Sequence, residues 1–331
     1  MTAPRPTPPH RLATTVTTLV APLLVLAVTV GVALSWTPRL PDPLAVHWDA
    51  AMRPDGFGSL KDAVAIPLLF VPLFALGMWA LAFWTGRDDS VRRLSAGFAT
   101  GLAVLVSVVV LGSLSVQLDL ADAADAPGIG HVTVWAFGGG IVAGVLAALV
   151  VPRGRPIPSD APVDPSAPRT ALAPDEPAAW SRSVTSQAGA WVGAVAVLVN
   201  VVLALVLRTP AMLLVGAGIA LLLVSTLALH VSVDDRGLVA RSPLGWPAVR
   251  VPLDEVVAAR ATQVDPFGEF GGWGYRVGAG GRAGFVLRKG EAIQVERTGG
   301  RVTVVTVDDA ATAAALLNTL ADRARGTTTA R

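Results

Sequence analysis

The sequence has no cysteine among its 331 residues. This absence excludes disulfide bonds, zinc sites built from thiolates and catalysis by a cysteine nucleophile. Charged side chains are also scarce, at 15% of the residues, and the formal net charge is only +2. Such a small net charge gives no reason to expect a nucleic acid as a partner.

Hydrophobic residues, by contrast, make up 53% of the chain, and the mean hydropathy is +0.59. Soluble domains are less apolar and more charged. A transmembrane helix needs roughly 20 consecutive apolar residues. Stretches without Asp, Glu, Lys or Arg that meet this need lie at residues 14–35, 63–85, 94–116, 132–151, 188–207 and 211–232. The sequence therefore predicts an α-helical polytopic membrane protein with about six transmembrane helices.

Basic residues are distributed unevenly between the loops. The N-terminal tail, the second loop and the fourth loop contain Arg5, Arg11, Arg87, Arg92, Arg93, Arg153, Arg155, Arg169 and Arg182. The other loops contain only Arg39, Arg53, Lys61 and Arg208. Because Lys and Arg accumulate in short cytoplasmic loops, both termini are predicted to be cytoplasmic and the first loop to face outward from the plasma membrane.

The composition also predicts how the chain is divided. Residues 152–177 are rich in proline and contain no aromatic residue, a composition typical of a disordered linker. The predicted divisions are a cytoplasmic tail (1–12), a four-helix membrane domain (13–151) containing an outward loop (36–61), a disordered cytoplasmic linker (152–187), a transmembrane hairpin (188–231), a cytoplasmic β domain (232–325) and a disordered tail (326–331).

The pattern changes to short β-type runs from His230 onward, with turn sequences such as DDRG and TGG between them. About seven strands are predicted from this spacing. The final stretch, DDAATAAALLNTLADRAR, predicts an amphipathic helix with Asp308 as its N-cap. One face of that helix carries Ala313, Leu316, Leu317 and Leu320. The C-terminal region is therefore predicted to be a small β-barrel or bent sheet capped by one helix.

The order of these strands, with WGYRV, then GFVLRKGEAIQVERTGGRVTVVTVDDA, then a terminal helix, resembles the bacterial pleckstrin-homology-like domains. Such domains follow membrane helices in many actinobacterial proteins. The resemblance implies an interaction module without catalytic apparatus. The expected partners are thus membrane lipid and a protein that contacts the C-terminal domain.

The loop LPDPLAVHWDAAMRPDGFGS, residues 40–59, combines aromatic, acidic and turn residues. It resembles the domain of unknown function 1648, a membrane-associated module known from SdpI-type immunity and signal-transduction proteins. The resemblance extends from Leu24 to Phe74, and Ala45 and Met52 depart from it where a second proline and a glycine are usual. The matching residues are Leu40, Pro41, His47, Trp48, Pro54, Asp55, Gly56, Phe57 and Gly58.

The loop residues can be explained without a ligand. Pro54 and Gly56 suit a tight turn, and Trp48 and Phe57 are aromatic residues of the kind found at the membrane interface. On this interpretation the loop is an anchored hairpin between two membrane helices.

A functional interpretation of the same loop rests on His47, Asp49 and Asp55. One imidazole and two carboxylates could contact a ligand such as a cationic peptide, or hold a divalent metal. A zinc site needs a third protein ligand and a defined geometry, and a His-x-Asp pair alone is weak evidence. We therefore expect a ligand contact rather than a metal, and no cofactor.

Asn200 is the main strongly polar side chain within the predicted spans. It is interpreted as a contact between helices, with a transport pathway as the alternative. No hydrolase or phosphate-binding motif is present, so no enzymatic activity is predicted. The sequence favours a non-enzymatic sensor, regulatory or immunity-type membrane protein. The alternatives are a transporter or permease-like subunit and, less favoured, a membrane metalloenzyme centred on His47.

Overall fold

The computed structural model describes residues 7–154, 156–173, 176–206, 211–245 and 248–329. The chain divides into two compact units. The first unit comprises residues 7–154, and the second comprises the described residues from 156 onward. The predicted boundary between a four-helix domain and the following segment, at residue 151, lies three residues before this division.

The first unit is mainly helical. Two of its helices begin at capping residues: Ser59 and Asp62 form a capping box, and the Asp88 side chain accepts a hydrogen bond from the Ser90 N–H. The elements are α1 (Arg11–Thr15), a π-helical turn (Val16–Val20), α2 (Ala21–Trp36), β1 (Leu44–Trp48), β2 (Pro54–Gly58), α3 (Leu60–Thr85), α4 (Asp89–Ser115) and α5 (Gly130–Val150).

Among the residues that the structure describes, five helical segments are long and apolar enough to cross a membrane. They are Arg11–Arg39, Leu60–Thr85, Asp89–Ser115, Gly130–Val150 and Gln187–Val206. Large apolar side chains such as Ile66, Trp135 and Val206 are exposed along them, which suits a lipid environment rather than water. The prediction of an α-helical membrane protein is confirmed at this level, whereas the count of six spans is not.

Helices α4 and α5 pack so closely that their backbones touch. A Cβ atom added to Gly101 would lie 2.8 Å from the carbonyl oxygen of Gly140, and one added to Gly144 would lie 2.8 Å from that of Gly97. Small residues permit this approach, which provides packing energy between helices in lipid. Each helix contributes two glycines four residues apart, Gly97 and Gly101 on α4 and Gly140 and Gly144 on α5.

The second unit begins its regular structure with β3 (Trp180–Thr185), α6 (Gln187–Val206), α7 (Ala211–Leu227) and β4 (Ala228–Asp234). The predicted antiparallel helical hairpin is present, since Gly189 approaches Leu227 and Gly193 approaches Leu223. The predicted last span, 211–232, ends earlier, because β4 begins at Ala228. The connection between the two helices lies outside the described residues.

The remaining strands and helices of the second unit are β5 (Gly237–Arg241), β6 (Ala248–Val251), β7 (Val256–Val264), α8 (Pro266–Phe270), β8 (Gly274–Val277), β9 (Arg282–Val286), β10 (Gly290–Arg297), β11 (Arg301–Thr306) and α9 (Ala310–Thr329). One sheet has the order β3-β4-β5-β6 and the other β7-β10-β11-β9-β8. Pairing is antiparallel except between β11 and β9. Neither sheet closes among the described strands, so the barrel form of the prediction is not confirmed.

Helix α9 covers the core of the second unit. The predicted apolar face is buried, with Ala313, Leu316, Leu317 and Leu320 in the main hydrophobic cluster. Two details differ from prediction. The helix begins at Ala310, one residue later than an Asp308 N-cap would place it, and it continues to Thr329, so residues 326–329 are not the disordered tail that was predicted.

A further prediction is corrected at residues 156–173, a proline-rich segment that we call the strap. It was predicted to be disordered, yet Val163 is fully buried in the main cluster of the second unit. The Asp164 N–H donates to the Val257 carbonyl at 3.0 Å, and Asn318 Nδ2 donates to the Pro168 carbonyl at 2.8 Å. The strap cannot form a core of its own, but its backbone groups find partners on β7 and α9.

Candidate functional site

The outward loop predicted at residues 36–61 folds as an antiparallel hairpin between α2 and α3. Leu44 pairs with Gly58, and Trp48 pairs with Pro54. Pro41 and Pro43 precede the first strand and prevent the helix from continuing. Met52, which departs from the family pattern, lies in the turn with a φ of 59°, a conformation that normally favours glycine.

The hairpin brings His47 and Asp55 together. The distance from His47 Nδ1 to Asp55 Oδ1 is 2.5 Å, and the two side chains are 70% and 45% exposed. Gly56 lies opposite His47 in the pairing, and a Cβ atom at Gly56 would lie 2.8 Å from His47 Cβ. The glycine thus leaves room for the His47 side chain. The result is an exposed pair that can offer both a donor and an acceptor to a ligand.

Asp49 does not join this pair. Its Oδ1 accepts a hydrogen bond from the Arg53 N–H at 2.9 Å and so stabilises the turn. No group of three metal-ligating side chains occurs in the part of the chain that the structure describes. The residues named for a metal site are therefore divided between a surface pair and a turn contact, and their arrangement does not provide a zinc ligand set.

Trp48 and Phe57 lie on the two strands of the hairpin. Phe57 is exposed, whereas the Trp48 Nε1 atom is enclosed and has no hydrogen-bond partner among the residues described. Pro54 begins the second strand, opposite Trp48, and Gly56 pairs with His47, so neither residue forms the tight turn that was predicted for them. An enclosed indole N–H without a partner costs stability and is not accessible to a ligand in this arrangement.

Gln117, two residues after the end of α4, attaches the hairpin to the helices. It is fully buried, its Oε1 accepts from the Ala45 N–H at 2.7 Å, and its Nε2 donates to the Ala45 carbonyl at 3.0 Å. The side chain therefore satisfies both backbone groups of a buried strand residue. The proline that is usual at position 45 in the family pattern would lack this N–H donor. Alanine at this position therefore permits the hydrogen bond to Gln117. Sequence reasoning missed Gln117, which is an ordinary residue at the end of an apolar run.

The acidic loop at residues 117–130 adds a second attachment. Arg39 forms a bidentate ion pair with Asp119. Its Nε lies 3.0 Å from Oδ1 of the carboxylate, and its Nη2 lies 2.5 Å from Oδ2. The hydrogen bond from Arg39 outweighs the desolvation of Asp119 and, together with the arginine charge, lowers the pKa of that carboxyl. Asp122 accepts from the Ala124 N–H. These aspartates stabilise loop structure and do not converge on a common point.

Asn200 lies in the second unit, within α6. Its Oδ1 atom is buried against α7, where a Cβ atom added to Gly216 would lie 2.6 Å away. This oxygen has no hydrogen-bond partner among the described residues. The position of Asn200 agrees with its interpretation as a contact between helices.

These features describe a membrane-embedded protein with an anchored polar hairpin between two of its apolar helices. Residues 24–71 match the family model described as Domain of unknown function (DUF1648). The match covers the second half of the first apolar helix, the hairpin and the first part of α3, and it confirms the resemblance predicted at Leu24 to Phe74. No curated protein and no solved structure is significantly similar to the chain.

Proposed function

We propose that the protein is a non-enzymatic membrane sensor or regulator, of the kind that includes immunity proteins. Its outward hairpin binds a ligand, and its cytoplasmic, pleckstrin-homology-like domain contacts a protein partner. The observation that supports this most is the exposed His47 and Asp55 pair on a hairpin held in place by Gln117 and by the Arg39–Asp119 ion pair. A site attached at two points is preorganised for binding.

The proposed topology has six spans, with both termini in the cytoplasm of a cell bounded by its plasma membrane. Pairing between β3 and β4 supports an even number of crossings in the second unit. Thr185, two residues before α6, pairs with Ala228, directly after α7, and the Ser186 N–H donates to the Leu227 carbonyl. Paired strands must lie on the same side of a membrane, so α6 and α7 cross together. The 17 residues of α7 cover roughly 25 Å, close to the hydrocarbon thickness of about 30 Å.

This topology makes a labelling prediction. The chain has no cysteine, so a single introduced thiol reports its own position. Ala51→Cys, in the hairpin turn, should react with a membrane-impermeant maleimide in intact cells. Arg236→Cys, in the turn between β4 and β5, should react only after permeabilisation. If both thiols react in intact cells, the six-span arrangement is wrong.

Photo-crosslinking in intact cells tests the function itself. A photoreactive amino acid in place of the exposed Phe57 should give a discrete adduct with the ligand of the hairpin. The same residue in place of Glu296, exposed on β10, should give an adduct with a cytoplasmic protein. The double variant His47→Ala, Asp55→Asn should abolish the adduct at position 57 and leave the other unchanged. Absence of an adduct at both positions would contradict the proposed sensor.

A further inference from the structure

The register of the four-stranded sheet shows which of its residues lie near the membrane helices. His230, two residues after the start of β4, pairs with Arg241 at the end of β5, and Arg241 pairs with Ala248 at the start of β6. The turn between β5 and β6 therefore lies at the end of the sheet from which α6 and α7 extend.

Strand geometry sets the depth of this turn. Each residue of an antiparallel strand advances about 3.4 Å, so Arg241 lies roughly 7 Å from the level of Ala228. The polar headgroup layer on each side of a bilayer is about 5 to 7 Å thick. If α6 and α7 cross the membrane, Arg241 and the turn after it lie at the depth of the headgroups.

The charge at this end of the sheet is uncompensated. Seven of the 13 described arginines of the second unit contact carboxylates, namely Arg169, Arg182, Arg260, Arg282, Arg288, Arg297 and Arg301. Arg241 is exposed and, within the described part of the chain, makes no ion pair. The acidic residues of β4 and of the turn after it, Asp234 and Asp235, lie at the opposite end of that strand.

The turn itself presents an apolar side chain. Leu244 is 55% exposed, although the turn is ordered by hydrogen bonds from the Leu244 N–H to Ser242 Oγ and from the Gly245 N–H to the Ser242 carbonyl. A leucine at the tip of a turn beside an unpaired arginine is a combination suited to the membrane interface.

A separate contact keeps the whole β domain close to the helical hairpin. β8, which belongs to the other sheet, contacts α7. The domain is thus attached to the hairpin through both sheets, which limits how far its membrane end can move from the bilayer.

We propose that Arg241 and Leu244 dock the β domain onto anionic lipid headgroups of the same membrane that α6 and α7 cross. The inference rests on that proposed crossing, but not on the ligand of the outward hairpin. Arg241 supplies the attraction to negatively charged headgroups, and Leu244 enters the interface. Docking fixes the orientation of the surface that remains available to a protein partner.

The test uses the purified full-length protein in vesicles of phosphatidylcholine alone or mixed with phosphatidylglycerol. A fluorophore sensitive to polarity is attached at Leu244→Cys, at Arg236→Cys as the aqueous control, or at Val199→Cys, exposed on α6, as the lipid control. We expect the label at 244 to show blue-shifted emission and protection from iodide in the anionic vesicles. The substitution Arg241→Gln should remove that protection, whereas Arg236→Gln should not.

The outcomes separate the two proposals. A label at 244 that iodide quenches as strongly as the label at 236 in anionic vesicles, while the label at 199 stays protected, would overturn the docking alone. Quenching of the label at 199 would overturn the crossing on which docking depends. Protection at 244 that is insensitive to both lipid charge and Arg241→Gln would overturn the role of anionic headgroups.

Discussion

Replacing Glu255 with glutamine is expected to lower the free energy of unfolding of the β domain by about 3 to 5 kcal/mol. Glu255 Oε2 lies 2.5 Å from Arg297 Nη2 and 3.0 Å from Arg301 Nη2, and the three side chains are 3%, 7% and 11% exposed. Glutamine would keep the shape of the side chain but remove the carboxylate charge that both largely buried guanidinium groups contact. Breaking a buried ion pair by removing the charge of one partner is costly, so the loss should be large.

Hydrogen exchange of the full-length protein measures this loss. Peptides covering β7, β10 and β11 should exchange faster in Glu255→Gln. The strap should loosen as well, since the Ile157 N–H donates to Glu255 Oε1 at 3.2 Å. The matched control is Glu296→Gln, which removes an exposed carboxylate from β10 and should leave exchange unchanged. Equal protection in the two variants would show that the buried cluster contributes little.

The same cluster predicts a pH dependence. Burial by itself raises the pKa of Glu255, but the hydrogen bond and charge of Arg297 and the charge of Arg301 outweigh it and hold the pKa below its ordinary value of 4.5. Since the pKa is lower in the folded state, the stabilising contribution is complete above the ordinary pKa and is lost as the pH falls through the folded pKa. Stability of Glu255→Gln should therefore depend less on pH in the acidic range.

The apolar runs and the strand-and-turn pattern predicted most of the architecture. Membrane helices need uninterrupted apolar length, which a sequence shows directly. The burial of Ala313, Leu316, Leu317 and Leu320 followed from helical periodicity alone. The hairpin around His47 was predicted from turn residues and from resemblance, but its turn was misplaced: Pro54 and Gly56 lie in β2, and the turn lies between the strands at residues 49–53.

Contacts between distant segments could not be predicted in this way. The strap looked disordered because its composition was judged in isolation, whereas its order comes from partners such as Asn318 and Asp322, about 150 residues away in the sequence. Gln117 was missed for the same reason. A single glutamine near a helix end has no local pattern that distinguishes it from a solvated residue, and its role depends on Ala45.

Two alanine substitutions on one helix should have opposite effects on the stability of the first unit. Alanine normally stabilises a helix relative to glycine by about 0.5 to 1 kcal/mol. Gly138→Ala should show this gain, because a Cβ atom there meets nothing within 4 Å. Gly140→Ala should instead lose about 1 to 3 kcal/mol, since its Cβ atom would lie 2.9 Å from the Gly101 carbonyl oxygen. Backbone on the facing helix cannot rotate away, so α4 and α5 must separate.

Denaturation of the full-length protein by dodecyl sulfate in mixed micelles, followed by tryptophan fluorescence, compares these variants. The midpoint should rise slightly for Gly138→Ala and fall for both Gly140→Ala and Gly101→Ala, whose added Cβ would lie 2.8 Å from the Gly140 carbonyl oxygen. Because both destabilising changes force the same two backbones apart, the double variant should lose less than the sum of the single losses. Equal midpoints for Gly138→Ala and Gly140→Ala would mean that the close approach of α4 and α5 does not stabilise the unit.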